Sequence, residues 1–226
     1  IGILDVHQMF GRAGRPQFDT SGHAILITTT KTLPKYTTTL VNAEPIKSQF
    51  MNKVEDFLNA EISLGTVTSR RDAFQWIKYT FLYQVFPNDE LIMQKLDFAA
   101  LELSQNFMIR TSLANDSLQS TYLGQVASMH YIPFKAVRHF NDNLNGDMPE
   151  SQLLDCIFTS GMFQSLLVRN SEIKELESFK TAIPLLTPCD EIPGKVNVLF
   201  QSHVSRHAFR TASLALDQGW MADNME

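Results

Sequence analysis

The side chains best suited to chemistry lie close together near the start of the chain, in the segment Gln8-Met-Phe-Gly-Arg-Ala-Gly-Arg-Pro-Gln-Phe-Asp19. Arg12 and Arg15 are three residues apart, so a helix beginning here would carry both guanidiniums on one face. Two planar cations on one face suit a polyphosphate held in a cleft. Arginine also stabilises the charge that develops on a γ-phosphate during its transfer. The spacing therefore favours a phosphate-contacting site.

Three other residues of this segment fit the same chemistry. Gly11 and Gly14 keep the backbone open, so that a neighbouring group can approach it closely. Gln8, one helical turn before Arg12, could hydrogen-bond a phosphate oxygen or an attacking water. The alternative is a surface turn with two solvated or acid-paired arginines, and the spacing by itself leaves both interpretations open.

Histidines and cysteines invite a metal site but do not complete one. His203 and His207 have the i, i+4 spacing of helical ligands, yet no carboxylate or cysteine lies near them in the sequence. Cys156 and Cys189 are too few for a disulfide scaffold or a zinc site with four cysteines. We therefore predict no metal site, and a reducing compartment is the simplest interpretation of the cysteine content.

The composition limits the classes of protein to which this chain can belong. Of its 226 residues, 44% are hydrophobic and 19% are charged, which is typical of a globular protein. No stretch of about 20 apolar residues occurs, so we predict no membrane partner. The net charge of −5 argues against nucleic-acid binding through bulk charge, and any such contact would have to be local. Two nucleotide-binding lobes need on the order of 300–400 residues, more than this chain has.

Residues 1–45 must position the arginine segment. The apolar stretch 24–30 predicts a buried strand, and Pro34 suits the first turn of a following helix. One strand and one or two helices cannot close a sheet. We therefore expect residues 1–45 to be the end of a domain whose body lies upstream, and the absence of Met at position 1 agrees with a chain cut from a longer protein.

Residues 46–132 show the element order of a winged helix, which is three helices followed by a hairpin. The predicted helices cover 50–62 (ending at Gly65), 72–86 (opened by a capping box from Ser69 to Asp72) and 89–106, and the predicted strands cover 108–111 and 120–123. The second helix carries aromatic residues on more than one face. This distribution predicts packing on both sides rather than a platform for stacking bases.

Residues 133–226 are predicted to form a helical bundle, which makes the fold class mainly α (α+β). Helices are expected over 124–132, 133–144, from Pro149, over 172–179, around 196–204 and over 208–220, with a loop at 181–194. We also predict that Cys156 is a buried, unreactive thiol. The acidic run 172–177 is expected to be a solvated helix face.

The arginine segment closely resembles motif six of the superfamily-two helicases, in the form Q-x-x-G-R-A-G-R-P-Q-[FY]-D of the Ski/Brr branch. Further resemblances to this branch follow in family order: Leu58-Asn-Ala-Glu-Ile-Ser-Leu-Gly-Thr-Val-Thr68, Trp76-Ile-Lys-Tyr-Thr-Phe-Leu-Tyr83, Leu123-Gly-Gln-Val-Ala-Ser-Met-His-Tyr-Ile132 and Gly194-Lys-Val-Asn-Val-Leu-Phe-Gln201. The chain is thus similar to the end of a second RecA-like α/β lobe, a winged helix and a Sec-type, ratchet-helix bundle. His130 falls at an aromatic position of the family and is expected to be packed.

The resemblance implies a function for the intact protein. Helicases of this branch couple hydrolysis of ATP, with Mg²⁺, to 3′→5′ unwinding of RNA or DNA, and the sequence does not decide between the two. By resemblance, Arg12 and Arg15 would be arginine fingers and catalytic residues. Gln8, Gly11 and Gly14 would contact the nucleotide. Arg206 and Arg210 are weak candidates for contacts to a single strand of nucleic acid.

The family also implies partners and a setting. The expected partners are a single strand of RNA or DNA, the missing first RecA-like lobe and a multiprotein complex. The expected processes are RNA processing or DNA repair, in the nucleus or also in the cytosol.

The chain departs from the family in two ways. Neither G-x-x-x-x-G-K-[ST] nor Asp-Glu-x-His occurs in it, so we expect that this chain alone binds neither ATP nor Mg²⁺ and hydrolyses nothing. The interval between Val204-Ser-Arg206 and Gly219-Trp220 is shorter than in the family, so the ratchet-helix bundle is expected to be truncated there or to lack residues.

Two alternatives belong to other functional classes. A helicase cassette reduced to this half could serve as a non-catalytic platform for protein interactions. An independent winged-helix transcription factor is the third interpretation. Its recognition helix would carry Lys95 as its single cation, whereas phosphate contacts normally need several cations.

Overall fold

The computed structural model divides into two compact units, Ile1–Ser48 and Gln49–Glu226. The residues that it describes are 3–15, 17–42, 48–112 and 116–223. Over these residues the structure has twelve α-helices, one short 3₁₀-helix and one two-stranded sheet. The predicted fold class, mainly α, is confirmed, whereas the domain boundaries at 45/46 and 132/133 stay predictions.

The first unit has two helices and a very small core. Helix α1 (Ile3–Phe10) packs against α2 (Leu33–Asn42), which has Pro34 in its first turn as predicted. Val6, 2% exposed, is the one buried hydrophobic side chain among those described in this unit. A core of this size is far smaller than an independently stable domain needs.

The prediction of a buried strand at 24–30 is wrong. The segment is irregular, and Ile25 and Ile27 are 86% and 93% exposed. A strand needs a neighbouring strand for its backbone hydrogen bonds, and the two strands found among the described residues pair with each other in the second unit. Leu26 and Thr28 are half-buried between the exposed isoleucines, so the segment keeps the alternation of a strand without a partner.

The second unit begins with the elements of a winged helix. After a 3₁₀ turn at Phe50–Lys53 follow α3 (Val54–Leu64), α4 (Arg70–Ile77), α5 (Phe81–Val85), α6 (Asp89–Gln105), β1 (Ile109–Ser112) and β2 (Ser117–Ser120). Gly65 ends α3 in a left-handed conformation with φ of 78°. At the start of α4, the Ser69 hydroxyl accepts a hydrogen bond from the Asp72 amide. Both predicted cap residues are therefore confirmed.

The predicted helix 72–86 is in fact two helices, α4 and α5. The break falls before Thr80, whose backbone is extended and whose hydroxyl accepts a hydrogen bond from the Tyr83 amide. A threonine at this position can cap a new helix, and here the cap prevails over the apolar periodicity that suggested one continuous helix.

The second strand of the hairpin is displaced by three residues from its predicted position, because it covers 117–120 and not 120–123. It pairs antiparallel with β1, with Ile109 opposite Ser120. The strand stops at Ser120 because the Thr121 hydroxyl accepts a hydrogen bond from the Gly124 amide and begins the next helix.

Six further helices complete the unit, in broad agreement with the prediction. They are α7 (Tyr122–Met129), α8 (Phe134–Asn143), α9 (Glu150–Thr159), α10 (Ile173–Ser178), α11 (Ile192–Val204) and α12 (Ala212–Asp223). Pro193, expected in the loop at 181–194, instead lies in the first turn of α11. Within the part of the chain that the structure describes, none of the helices has the length and apolar character needed to cross a bilayer.

Two apolar clusters hold the second unit together. One joins α3, α4 and α6 to the hairpin around the fully buried Leu58, Ile77 and Leu103. The other joins α9, α11 and α12 around Leu199 and Leu214. In these clusters each helix buries its apolar face against neighbouring elements, which is the main source of their stability.

Outcomes differ for three predictions about burial or exposure. Cys156 is buried as expected, and burial raises the pKa of its thiol. His130 is exposed at the end of α7, so the prediction that it is packed is wrong. The expectation of a solvated face at 172–177 is also wrong in part, because Glu172 and Leu176 are 0% and 1% exposed.

Candidate nucleotide-contacting site

The predicted arginine fingers lie directly after a helix. Gln8 is exposed on the last turn of α1, which ends at Phe10, and the chain then turns back on itself. The Arg12 amide donates to the Met9 carbonyl at 3.1 Å, and the Ala13 amide donates to the Phe10 carbonyl at 3.0 Å. The expectation that both arginines share a face at the start of a helix is therefore wrong, because their backbone forms a turn.

Arg15 is held loosely by its own neighbours. Its Nε lies 3.5 Å from Asp19 Oδ2, and its backbone amide donates to the same oxygen at 2.8 Å. The guanidinium also lies 5.0 Å from the centroid of the Phe18 ring. Because the Arg15 side chain is 74% exposed, the ion pair is of the weak, solvated kind, and the guanidinium stays accessible to another anion.

The loop around Arg12 depends on glycine at two positions. Gly14 has a left-handed φ of 82°, a conformation that side chains disfavour. A Cβ atom on Gly22 would lie 2.3 Å from the Ala13 carbonyl oxygen, so the two backbone segments of the loop can approach this closely only because residue 22 is glycine. At Gly11 the contact is less severe, since a Cβ atom there would lie 3.3 Å from the His7 carbonyl oxygen, which is tight but could be relieved by a small shift.

Arg12 lies at the edge of a groove formed within the first unit. The groove has a volume of about 470 Å³, and Met9, His23 and Ile25 are among the other residues that line it. Arg12 is exposed, and the structure gives it no ion pair among the described residues. Two accessible guanidiniums and an exposed amide on Gln8 fit a polyphosphate that approaches from outside this unit.

The structure offers little support for a metal site. In the described ranges, no group of three or more histidine, cysteine, aspartate or glutamate side chains is placed to hold a metal ion. His207 instead packs against two aromatic rings, with centroid distances of 5.1 Å to Phe179 and 5.2 Å to Phe209. Any Mg²⁺ that accompanies a nucleotide would need ligands from elsewhere.

Arg206 and Arg210 belong to the second unit. Arg206 follows α11 in a left-handed conformation with φ of 57° and is exposed. The Arg210 amide donates to Glu175 Oε1 at 2.6 Å. The Thr211 hydroxyl and the Arg210 backbone, with a smaller contribution from the Arg210 charge, lower the pKa of Glu175. A carboxylate that stays ionised beside Arg210 weakens this arginine as a phosphate ligand.

The most extensive charged cluster of the second unit was not predicted from sequence. Lys195, on α11, is 0% exposed, and its Nζ lies 2.7 Å from Glu172 Oε2 and 2.6 Å from Asp217 Oδ2. The same Nζ donates to the Leu167 carbonyl at 2.8 Å. Arg169 contacts both carboxylates from the solvent side. The one signal in the sequence was a lysine within the largely apolar stretch that forms α11, and it did not indicate the partners of that lysine.

This buried ion cluster, formed by Arg169, Glu172, Lys195 and Asp217, fixes the ionisation of its central carboxyl. Burial alone would raise the pKa of Glu172. Hydrogen bonds from Lys195, Ser213 and Arg169 outweigh burial and lower that pKa from 4.5 to about 2. The cluster joins α11, α12 and the loop before α10, so it positions α12 against the rest of the bundle.

Two known domain families match the second unit. Residues 47–95 match the winged helix-turn-helix domain, and residues 120–226 match the Sec63 Brl domain. These matches define the class of protein. It combines a winged helix with a Sec63-type helical domain, as the resemblance to Ski/Brr-type helicases implies.

Individual relatives are similar over nearly the whole chain. Activating signal cointegrator 1 complex subunit 3 is 36% identical in Gallus gallus and 35% identical in Homo sapiens, in each case over 99% of this chain. The DExH-box ATP-dependent RNA helicase DExH14 of Arabidopsis thaliana is 34% identical over 100% of it. The resemblance to the Ski/Brr-type helicases is therefore confirmed. The chain spans 11% of the length of each of these relatives.

Proposed function

We propose that this chain supplies the arginine fingers and the helical domains of an ATP-dependent 3′→5′ nucleic-acid helicase. Arg12 and Arg15 would stabilise the charge that develops on the γ-phosphate, and Gln8 would hold a phosphate oxygen or the attacking water. When bound in the intact protein, ATP would supply the phosphoryl group and Mg²⁺ would neutralise its charge. The phosphate loop and the acidic Mg²⁺ ligands do not occur in the 226 residues and would come from a first RecA-like lobe.

The observation that carries the proposal is the availability of two guanidiniums on one short turn of the helicase-like segment. Arg12 has no described ion pair, and Arg15 has one that is largely solvated. An exposed ion pair stabilises a protein by about 0–1 kcal/mol, so exchanging Asp19 for a phosphate would cost little. The close approach of Gly22 to the backbone of Ala13 and Gly14 supports the turn, and Arg12 and Arg15 are both exposed.

The proposal includes a substrate and a setting. The names of the relatives describe a subunit of a cointegrator complex and an ATP-dependent RNA helicase. We extend these properties to the intact protein, which would act on a single strand of RNA or DNA within a multiprotein complex, in the nucleus or also in the cytosol.

The test is the ATPase activity of the full-length protein, stimulated by single-stranded nucleic acid. We expect Arg12→Ala and Arg15→Ala each to lower kcat by several orders of magnitude, because arginine fingers contribute about 10³–10⁵ in rate. Arg71→Ala, on the exposed surface of α4, is the matched control and should keep the wild-type rate. Wild-type turnover in Arg15→Ala would refute the assignment.

The second candidate function is a non-catalytic interaction platform derived from a helicase cassette. In that case the winged-helix and Sec63-type domains would bind partner proteins, and no nucleotide-binding motif would be needed. The coding sequence before Ile1 discriminates between the two. An upstream Walker lysine and an Asp-Glu-x-His motif support the helicase, whereas an in-frame start and stop around this segment support the platform.

A further inference from the structure

An open groove lies at the foot of the winged-helix hairpin, where α6 ends and α7 begins. Its volume is about 740 Å³, and it is lined by Ser104, Phe107, Arg110, Thr111, Tyr122 and Leu123, among others. Phe107 is 69% exposed and Tyr122 is 82% exposed. Two exposed aromatic rings and a guanidinium thus share one groove.

Phe107 occupies a position where burial does not explain the residue type. It follows α6 with a left-handed φ of 60°, and the Met108 amide donates back to the Leu103 carbonyl at 2.9 Å. This helix-ending geometry favours glycine, because a side chain in the left-handed conformation costs free energy. Packing does not offset that cost, since the ring faces solvent. What sets Phe107 apart from Tyr131, the other aromatic residue with a left-handed backbone among the described residues, is that Phe107 lines this groove.

The backbone that carries both rings is rigidly supported. The Thr121 hydroxyl contacts the Phe107 carbonyl at 2.6 Å and the Met108 carbonyl at 2.9 Å. A Cβ atom on Gly124 would lie 2.1 Å from the Met108 carbonyl oxygen, so α7 begins in direct contact with the backbone that enters β1. Neither ring would need a rearrangement of its backbone to receive a ligand.

The groove offers one cation to a phosphate, so most of the binding would have to come from its rings. Arg110 is exposed on β1, opposite Gln119, and makes no ion pair among the described residues. Glu102, two residues before Ser104 on α6, does not line the groove and is paired with Arg138 at 3.0 Å. One unpaired guanidinium beside two exposed rings suits a ligand with flat faces and a phosphate backbone.

We propose that this groove binds single-stranded nucleic acid, with bases stacked on Phe107 and Tyr122 and a phosphate beside Arg110. The proposal rests on the proposed helicase function for its biological meaning, but its chemistry can be measured on this chain alone. Every base can stack on an aromatic ring, so we expect the groove to bind a single strand without sequence preference.

The test is fluorescence anisotropy of a labelled oligo-uridine of about twelve nucleotides, with this chain, at about 0.1 M salt. We expect Phe107→Gly and Tyr122→Ala each to weaken binding by about five- to hundredfold, which is the effect of losing one stacked base. Arg110→Gln should weaken binding and reduce the slope of log affinity against log salt by about 0.7. An oligo-thymidine of the same length is expected to respond in the same way.

Tyr131→Gly is the matched control, because Tyr131 is also an exposed aromatic residue in the left-handed conformation, with φ of 55°, but does not line the groove. It should leave the affinity unchanged. Phe107→Gly should unfold at or above the wild-type melting temperature, since glycine suits its backbone. Weaker binding with unchanged stability therefore supports a binding role.

The proposal is overturned if the wild-type chain does not bind the single strand, or if the three groove variants bind it as well as wild type. Binding of an apolar peptide in the groove, in place of the oligonucleotide, would also overturn the proposal. Failure of the helicase proposal would give a different result. The full-length Arg15→Ala protein would then keep normal ATPase activity, while the groove variants of this chain would still lose affinity for the single strand.

Discussion

At the scale of single residues, the buried ion cluster is the part of the bundle in which removal of one side chain should be most costly. Lys195 and Glu172 are both 0% exposed, and each has its charge matched by at least two partners. Burying a charge without a partner costs several kcal/mol, so neither residue can be removed alone without loss. The sequence does not reveal the cluster, because its acidic members are far from Lys195 along the chain.

We predict that Lys195→Met lowers the free energy of unfolding by about 3–5 kcal/mol, because it leaves Glu172 and Asp217 without their central cation. Urea unfolding of this chain measures the change. Arg70→Met is the control, since its ion pair with Asp97 is about half exposed and should cost no more than about 1 kcal/mol. Equal losses in the two variants would mean that the buried cluster adds no stability beyond that of a surface pair.

The low pKa of Glu172 predicts a pH dependence with a definite sign. The folded-state pKa is about 2, below the ordinary value of 4.5, so the ionised carboxylate stabilises the folded state. This contribution is complete above the unfolded pKa of about 4.5 and is lost as the pH falls towards about 2. The stability difference between wild type and Glu172→Gln should therefore shrink over this window. A stability difference that stays constant as the pH falls from about 6 to about 2.5 would contradict the low pKa of Glu172.

At the scale of elements, local signals explain most of the helices. Gly65 and Ser69 end and begin helices where their chemistry predicts it, and amphipathic spacing locates α3 and α6. The errors fall where a capping threonine competes with apolar periodicity. Thr80 interrupts one predicted helix, and Thr121 begins a helix inside a predicted strand. Competition of this kind depends on hydrogen bonds three residues away and is hard to weigh from sequence.

Helix α11 is predicted to tolerate no side chain at Gly194, in its first turn. A Cβ atom on Gly194 would lie 1.9 Å from the Pro188 carbonyl oxygen, so Gly194→Ala requires the preceding loop to move. We expect a marked fall in the melting temperature of this chain. Gly219→Ala on α12 is the matched control, because nothing lies within 4 Å of its Cβ position and alanine favours a helix by about 1 kcal/mol over glycine. A Gly194→Ala protein as stable as Gly219→Ala would refute the close contact.

At the scale of the whole molecule, the resemblance of short motifs to the helicase family predicted more of the domain organisation than hydrophobic periodicity and residue spacing did. The Ski/Brr resemblance correctly indicated a winged helix followed by a Sec63-type domain. The candidate site was only partly predictable. The predicted helical placement of Arg12 and Arg15 was wrong because Gly11 and Gly14 favour a turn, and the role of the two arginines stays a prediction. The strand at 24–30 could not be judged, because a strand depends on partners that lie elsewhere in a sheet.

The exposed isoleucines give a prediction about the intact protein. If a RecA-like sheet covers residues 24–30 there, Ile27→Lys should lower the melting temperature of the full-length protein, because it places a charge in a buried strand. In this chain, where Ile27 is 93% exposed, the same change should have little effect. The isolated chain thus serves as the control. No destabilisation of the full-length protein would show that the segment stays uncovered.

The most direct test of the central claim is strand unwinding by the full-length protein, measured on duplexes with a single-stranded 3′ or 5′ tail. We predict ATP-dependent unwinding of the 3′-tailed duplex only, and loss of that unwinding in Arg15→Ala with nucleic-acid binding retained. Unwinding at the wild-type rate by the Arg15→Ala protein, or no ATP-dependent unwinding by wild type, would contradict it.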